Sequence, residues 1–263
     1  MIAQRSSICA EGATLCETIT LLPGHPEAQR AVIAFAGVQA MLGGIAFSEF
    51  AKTLSPADGT AGEVARPVAF VREIPSRWYN TFDPALLEPF LRAHDDRAVV
   101  TLGNSMGGFA AILFSLVLPQ VRRSIAFCPQ FSVHPDHCPW ESRWREFVTA
   151  IDSWRFETCL SAPPDRGGVR PDHVLFCGSD VAADIRHAEA ILANAGTPAA
   201  TFLIHGCGHD VARHLKLRGL LVPLFDQLID DLAPVDAIAD HLRQQDVSFD
   251  LLQNAPSAST AAL

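Results

Sequence analysis

Short apolar runs recur along the chain, and most give way to a stretch of helical period. Residues 8–22 read as one or two strands leading to a turn at Pro23-Gly24. AVIAFAG (31–37), ARPVAFVRE (65–73), RAVVTLG (97–103), RSIAFCPQF (123–131), HVLFCG (173–178) and TFLIHG (201–206) follow as further strands. These runs are apolar throughout rather than alternating, as in strands covered on both faces. Between them lie helical patterns. Asp83 stands as an N-cap before Leu86, Leu87, Phe90 and Leu91. GGFAAILFSLVL, HAEAILANAG and a long amphipathic stretch over 210–232 predict three more helices. Strands alternating with helices imply βαβ units and right-handed crossovers. The expected class is α/β, with a mostly parallel central sheet flanked by helices.

Segment 132–170 departs from this alternation. It carries Trp140, Trp144 and Trp154, interleaved with Arg143, Arg145 and Arg155, and ends in the loop APPDRGGVRP. It reads as a short lid inserted over the carboxyl edge of the sheet. The expected organisation is a single domain over 1–245 and a flexible tail over 246–263, whose ending NAPSASTAAL is small and polar. The tryptophans serve either a substrate pocket or ordinary helix packing.

Composition narrows the partners. The net charge is −9, and the 20 Lys and Arg residues are scattered singly. Nucleic-acid binding needs a positive footprint, so that class is not expected. No apolar stretch approaches the roughly 20 residues of a membrane span, and the first residues hold no signal-like apolar core. The seven cysteines lack paired CxxC spacing and several sit in apolar runs, the pattern of reduced buried thiols; a cytoplasmic setting is expected.

The strand AVVTL runs into Gly103-Asn104-Ser105-Met106-Gly107-Gly108 and then into a helix rich in Gly and Ala. G-x-S-x-G is a short motif, and its strand–turn–helix context is what gives it meaning. A serine there sits on a sharp turn with its hydroxyl above the sheet and the helix N-terminus beneath the reacting centre. Serine needs a base. Of the ten histidines, His209 follows the last strand in the flexible loop Gly206-Cys207-Gly208-His209, whereas His205 lies within that strand. The acid that orients the imidazole is expected after HVLFCG, where both Asp180 and Asp184 stand; Asp180 is favoured by its place at the strand end, because Asp184 reads as a helix N-cap. The cluster His134, His137, Cys138 lacks a second ligand pair, so no metal and no cofactor are expected.

With Ser105, then Asp180 or Asp184, then His209 in that order, the chain resembles the α/β-hydrolase family over residues 10–232. The resemblance implies an eight-stranded, mostly parallel sheet with the triad at its carboxyl side. It also implies an oxyanion hole from the backbone N–H of Met106 and a second from the loop FAGVQ, by position Val38 with Gly37 beside it. At that loop the chain has Ala36-Gly37 where the family often has His-Gly.

Arg77-Trp78-Tyr79-Asn80 follows another strand, and Gly37, Trp78 and Tyr79 are substrate-contact candidates; Trp78 and Tyr79 equally suit an anchor on the core. The expectation is a serine hydrolase that cleaves a small-molecule or carrier-bound ester or thioester through an acyl-enzyme. An acyltransferase with the same triad and a non-catalytic binding protein on the same fold stand as alternatives. Neither the acyl group nor the oligomeric state is legible.

Overall fold

The computed structural model describes residues 7–8, 16–39, 41–42, 45–46, 50–54, 66–161 and 169–254. Along the chain the strands are β1 (Ser7–Ile8), β2 (Cys16–Leu22), β3 (Arg30–Phe35), the small hairpin β4 (Met41–Leu42) and β5 (Ile45–Ala46), β6 (Val68–Ile74), β7 (Ala98–Asn104), β8 (Val121–Phe127), β9 (Asp172–Gly178), β10 (Ala199–Ile204) and β11 (Phe249–Gln253). The helices are α1 (Ala51–Leu54), α2 (Glu88–Ala93), α3 (Met106–Val117), α4 (Arg145–Val148), α5 (Ala182–Asn194), α6 (Val211–Leu217), α7 (Leu221–Phe225) and α8 (Val235–Gln244). Asp83 does cap, as its position before Pro84 suggests: its carboxylate accepts from Ala85 N at 3.0 Å, opening a 3-10 turn that leads into α2.

Nine strands form one sheet in the order β1-β2-β6-β3-β7-β8-β9-β10-β11, eight full strands and the two-residue edge strand β1. Pairing is parallel from β6 through β10 and antiparallel at both margins. The sheet is thus mostly parallel, as the unbroken apolar runs require. Its two faces are covered separately. Ile33, Val99, Phe109 and Phe114 belong to one core, with α2, α3 and part of the 128–161 segment. Val32, Val100, Phe176 and Phe225 belong to the other, beneath α6, α7 and α8.

The chain leaves β3 toward β6 on one side and leaves β7 toward β8 on the other, so a crevice opens between the carboxyl ends of the adjacent β3 and β7. Gly103 and Gly107 hold this crevice closed below. A Cβ on Gly107 would lie 2.1 Å from the Phe35 carbonyl oxygen, and one on Gly103 would lie 2.0 Å from that of Gly107. Only residues without side chains let β3, β7 and the start of α3 meet this closely.

Two expectations at the C-terminal end are corrected. The helix expected over 210–232 is broken. α6 stops at Leu217 in a Schellman turn, with Leu220 N donating to Leu215 O at 2.9 Å and Gly219 N to Lys216 O at 3.0 Å around Gly219 at φ 74°. α7 and a π-turn over Asp226–Asp230 follow. The tail expected to fray from Asp246 instead carries β11, which pairs antiparallel with β10 from Ala200 to Ile204, while residues 255–263 lie outside the described residues.

Candidate active site

Ser105 joins β7 to α3 at φ 55° and ψ −119°, a backbone conformation costly for a residue with a side chain, by about 1–3 kcal/mol. Its N–H is held by the Phe127 carbonyl at 2.8 Å, and α3 begins at Met106, so the first helical N–H groups have no intrahelical acceptors. The sharp turn projects Oγ to the carboxyl end of the sheet, where His209 Nε2 lies 3.0 Å away.

His209 is brought there by a close approach. A Cβ on Gly178 would fall 2.1 Å from the Cys207 carbonyl, so the end of β9 must be glycine for the 205–209 loop to lie across it. Asp180 N donates to Cys207 O at 3.2 Å and ties the same loop down. The carboxylate that meets the imidazole is Asp184, whose Oδ2 lies 2.7 Å from Nδ1. The expected acid, Asp180, is exposed and takes a hydrogen bond from the neighbouring Ser179 hydroxyl. Asp184 is not the helix cap either. Val181 holds that place, and Asp184, in the first turn of α5, is wholly buried. A carboxylate only accepts, so in the neutral ring Nδ1 carries the proton and Nε2 offers its lone pair to Ser105.

The charges around this chain are set by burial and by two neighbours. Burial pushes the Asp184 carboxyl up, but the hydrogen bond and charge of His209 and those of Arg143 outweigh it and hold the group below its ordinary value. Burial pulls His209 down, but the hydrogen bond that Nδ1–H donates to Asp184 and the charge of that carboxylate outweigh it and hold the ring above its ordinary value. Cys128, buried beside the ring, has its thiol pushed well up by Cys177 and by burial. It is therefore uncharged at neutral pH, and the charge that then favours the imidazolium is Asp184's. Cys128, Asp184 and His209 present possible metal-ligating atoms within 4.8 Å of one another. Both Asp184 oxygens are already engaged, Oδ2 with His209 and Oδ1 with Arg143 Nη1 at 2.8 Å, which makes the trio a hydrogen-bonded set and a poor metal cradle.

No family model matches the chain, and no curated protein sequence matches it. Solved structures do. It superposes on the fluorophosphonate-binding serine hydrolase FphF of Staphylococcus aureus with a TM-score of 0.54 at 13% identity, covering 84% of this chain and 97% of that one. An esterase of Thermogutta terrifontis, bound to propionate, gives 0.53 at 17% identity over 85% of this chain and 93% of that one. A Pyrobaculum calidifontis esterase gives 0.53 at 13% identity over 86% and 84%. The chain has the α/β-hydrolase fold.

In the α/β-hydrolase fold the loop after β3 lies beside the nucleophile turn, and here Ala36, Gly37 and Val38 occupy it, with Gly37 buried and Val38 half-buried. Tyr79 fastens it from below: its hydroxyl donates to the Ala36 carbonyl at 2.8 Å. Tyr79 and Trp78 are wholly buried, which corrects their placement among substrate contacts and assigns them to the core. The backbone turn that carries them is held by Glu73, whose carboxylate accepts from the N–H groups of Arg77 and Tyr79, both at 2.7 Å. His134 and His137 belong to local hydrogen bonds, His137 with Glu157 at 2.8 Å.

Several neighbours of the site are not placed there by any spacing in the sequence. Gln130, fully buried, places Nε2 3.2 Å from Ser105 Oγ. Arg143 joins Asp184 to Glu141, and Glu141 meets His187 Nε2 at 3.0 Å. Trp144 stands with its ring centroid 6.0 Å from that of His209 and 5.9 Å from that of Trp78. Beyond Trp144 lies a cavity of about 220 Å³ lined in part by Val133, Pro139 and Val148. Each comes from the segment after β8 and reaches the site across 25 or more residues of chain, a distance at which no periodicity links them.

Proposed function

We propose that this chain is a serine hydrolase that cleaves a carboxylic ester or thioester. The observation that carries the reading is the unbroken series Ser105 Oγ, His209 Nε2, His209 Nδ1 and Asp184 Oδ2, with spacings of 3.0 and 2.7 Å across its two hydrogen bonds. Neutral His209 takes the Ser105 proton as Oγ adds to the substrate carbonyl. The oxygen of the tetrahedral intermediate is received by the N–H groups of Met106 and Val38, where each such donor contributes about 2.7–4 kcal/mol to the transition state. Asp184 keeps the proton on Nδ1 and stabilises the imidazolium. Collapse expels the alcohol or thiol, which leaves with the proton from His209. Water, deprotonated by the same ring, then releases the acid and restores Ser105.

In this reading residues 132–161 serve as the lid, since Arg143 and Trp144 rest on Asp184 and His209. The test is a series of p-nitrophenyl esters and acyl thioesters of rising chain length, with a fluorophosphonate probe in parallel. Wild type turns over at least one series and is labelled at a single serine. Ser105→Ala loses both turnover and label. Retention of either by that variant overturns the proposal.

A further inference from the structure

Gln130 leaves the end of β8 by two residues after Cys128 and is fully buried, yet its amide touches the Ser105 hydroxyl. Which end of the amide does so is decided by two groups that allow no choice. Trp78 Nε1–H is a donor only and lies 3.2 Å from one end, so that end is Oε1. The Cys128 carbonyl is an acceptor only and lies 3.3 Å from the other end, so that end is Nε2. The group 3.2 Å from Ser105 Oγ is therefore an N–H donor.

This fixes the hydroxyl. Nε2 has no lone pair, so Ser105 cannot donate to Gln130; it accepts there. Once the His209 ring is neutral, the hydroxyl's one proton is left for Nε2, which is then free to accept because Asp184 holds the remaining ring proton on Nδ1. Of the two lone pairs on Oγ, one is taken by Gln130 and the other remains for the carbonyl carbon under attack. We infer that Gln130, oriented by Trp78, is a positioning residue that directs the Ser105 proton to His209 before substrate arrives. The inference rests on the serine hydrolase reading above. It also explains why Trp78 is buried with its indole N–H spent inside the protein.

A hydroxyl free to rotate spends part of its time donating elsewhere, so the loss falls on the rate of attack and leaves substrate affinity alone. The titratable groups near the amide are His209, through Ser105, and Cys128, through its own carbonyl; His187 Nδ1 accepts from the adjoining Phe131 N. Gln130→Glu exploits this setting. The variant keeps an acceptor for Trp78. When protonated it still has a hydrogen to offer Ser105 Oγ, and when ionised it becomes an acceptor that draws the hydroxyl away from His209.

The measurement is the second-order rate of fluorophosphonate labelling at Ser105 against pH, with thermal unfolding of each variant alongside. For wild type the rate rises with pH as His209 loses its proton. Gln130→Met is expected to label about tenfold more slowly at every pH, the worth of one neutral hydrogen bond. Gln130→Glu is expected to gain a falling alkaline limb that wild type lacks. Trp78→Phe, which frees the amide to turn, is expected to fall between wild type and Gln130→Met. A folded Gln130→Met within twofold of wild type, or a Gln130→Glu profile parallel to wild type, overturns the inference. Should Gln130→Met not fold, the Gln130→Glu and Trp78→Phe profiles decide by themselves. Absence of labelling in wild type would instead fail the hydrolase reading, so the two failures are distinct.

Discussion

A carboxylate can serve His209 only where its oxygen meets Nδ1, and among the described residues Asp184 does so while Asp180 faces solvent. Asp184→Asn presents an amide N–H to the ring and favours the wrong tautomer. By analogy with other triads, turnover should fall by about 10⁴. Asp180→Asn should stay within about twofold, and steady-state kinetics on the two variants separates them. Equal mild losses would mean neither carboxylate orients the base. The pH profile follows from the same contact. In the proposed reaction His209 acts only when neutral, and its folded pKa is raised, so kcat/KM should climb with pH along a limb displaced above the ordinary imidazole range. Asp184→Asn removes the charge that favours the imidazolium and should move that limb down. Ser105 and His209 were legible because each is marked by glycines that strand crossings demand. The choice between Asp180 and Asp184 was not, because it depends on which residue begins α5, and helix starts are the least certain part of a pattern.

At the level of elements, the segment between β8 and β9 reaches into the site through Arg143. Its guanidinium takes Asp184 Oδ1 and also forks onto Glu141, whose carboxyl is held far below its ordinary value against burial by His187 and Arg143. His187 is itself kept neutral, chiefly by burial. Arg143→Met would leave Asp184 Oδ1 buried without a donor, at a cost of about 1–3 kcal/mol. It would also strip away the positive charge that tempers Asp184's hold on the imidazolium. The expected outcome is a lower melting temperature together with a kcat/KM limb displaced further upward in pH, opposite in direction to Asp184→Asn. A melting temperature shift with no pH displacement would assign Arg143 to structure alone. The sequence marks this segment by its tryptophans, and its change of character is visible there. That Arg143 rather than Arg145 or Arg155 meets the acid is not, since spacing along an irregular stretch says nothing about direction.

Across the whole molecule, the strands of the parallel part of the sheet followed from the alternation of unbroken apolar runs with helices, because a strand covered on both faces needs no other signal. β11 escaped that logic. FDLLQ is short, half-exposed and antiparallel, and it follows α8, whose Ile238, Ala239 and Leu242 are buried in the core. Yet β11 covers the edge of β10 with a five-residue ladder. Asn254 extends the seal: its Oδ1 accepts from Ala199 N at 2.9 Å and its Nδ2 donates to Thr197 O at 2.8 Å. Without this strand β10, apolar and otherwise parallel-paired only to β9, would present open N–H and C=O groups to other chains. β10 also leads directly into the loop that carries His209, so the seal bears on the site. A chain ended after Asp246 should therefore melt lower, gain concentration-dependent aggregates in light scattering, and lose fluorophosphonate labelling as His209 loses its footing. A chain ended after Asn254 keeps every bond named here and serves as the reference. If the shorter chain matches the reference in melting temperature and labelling, β11 is dispensable, and the sheet's working edge is β10.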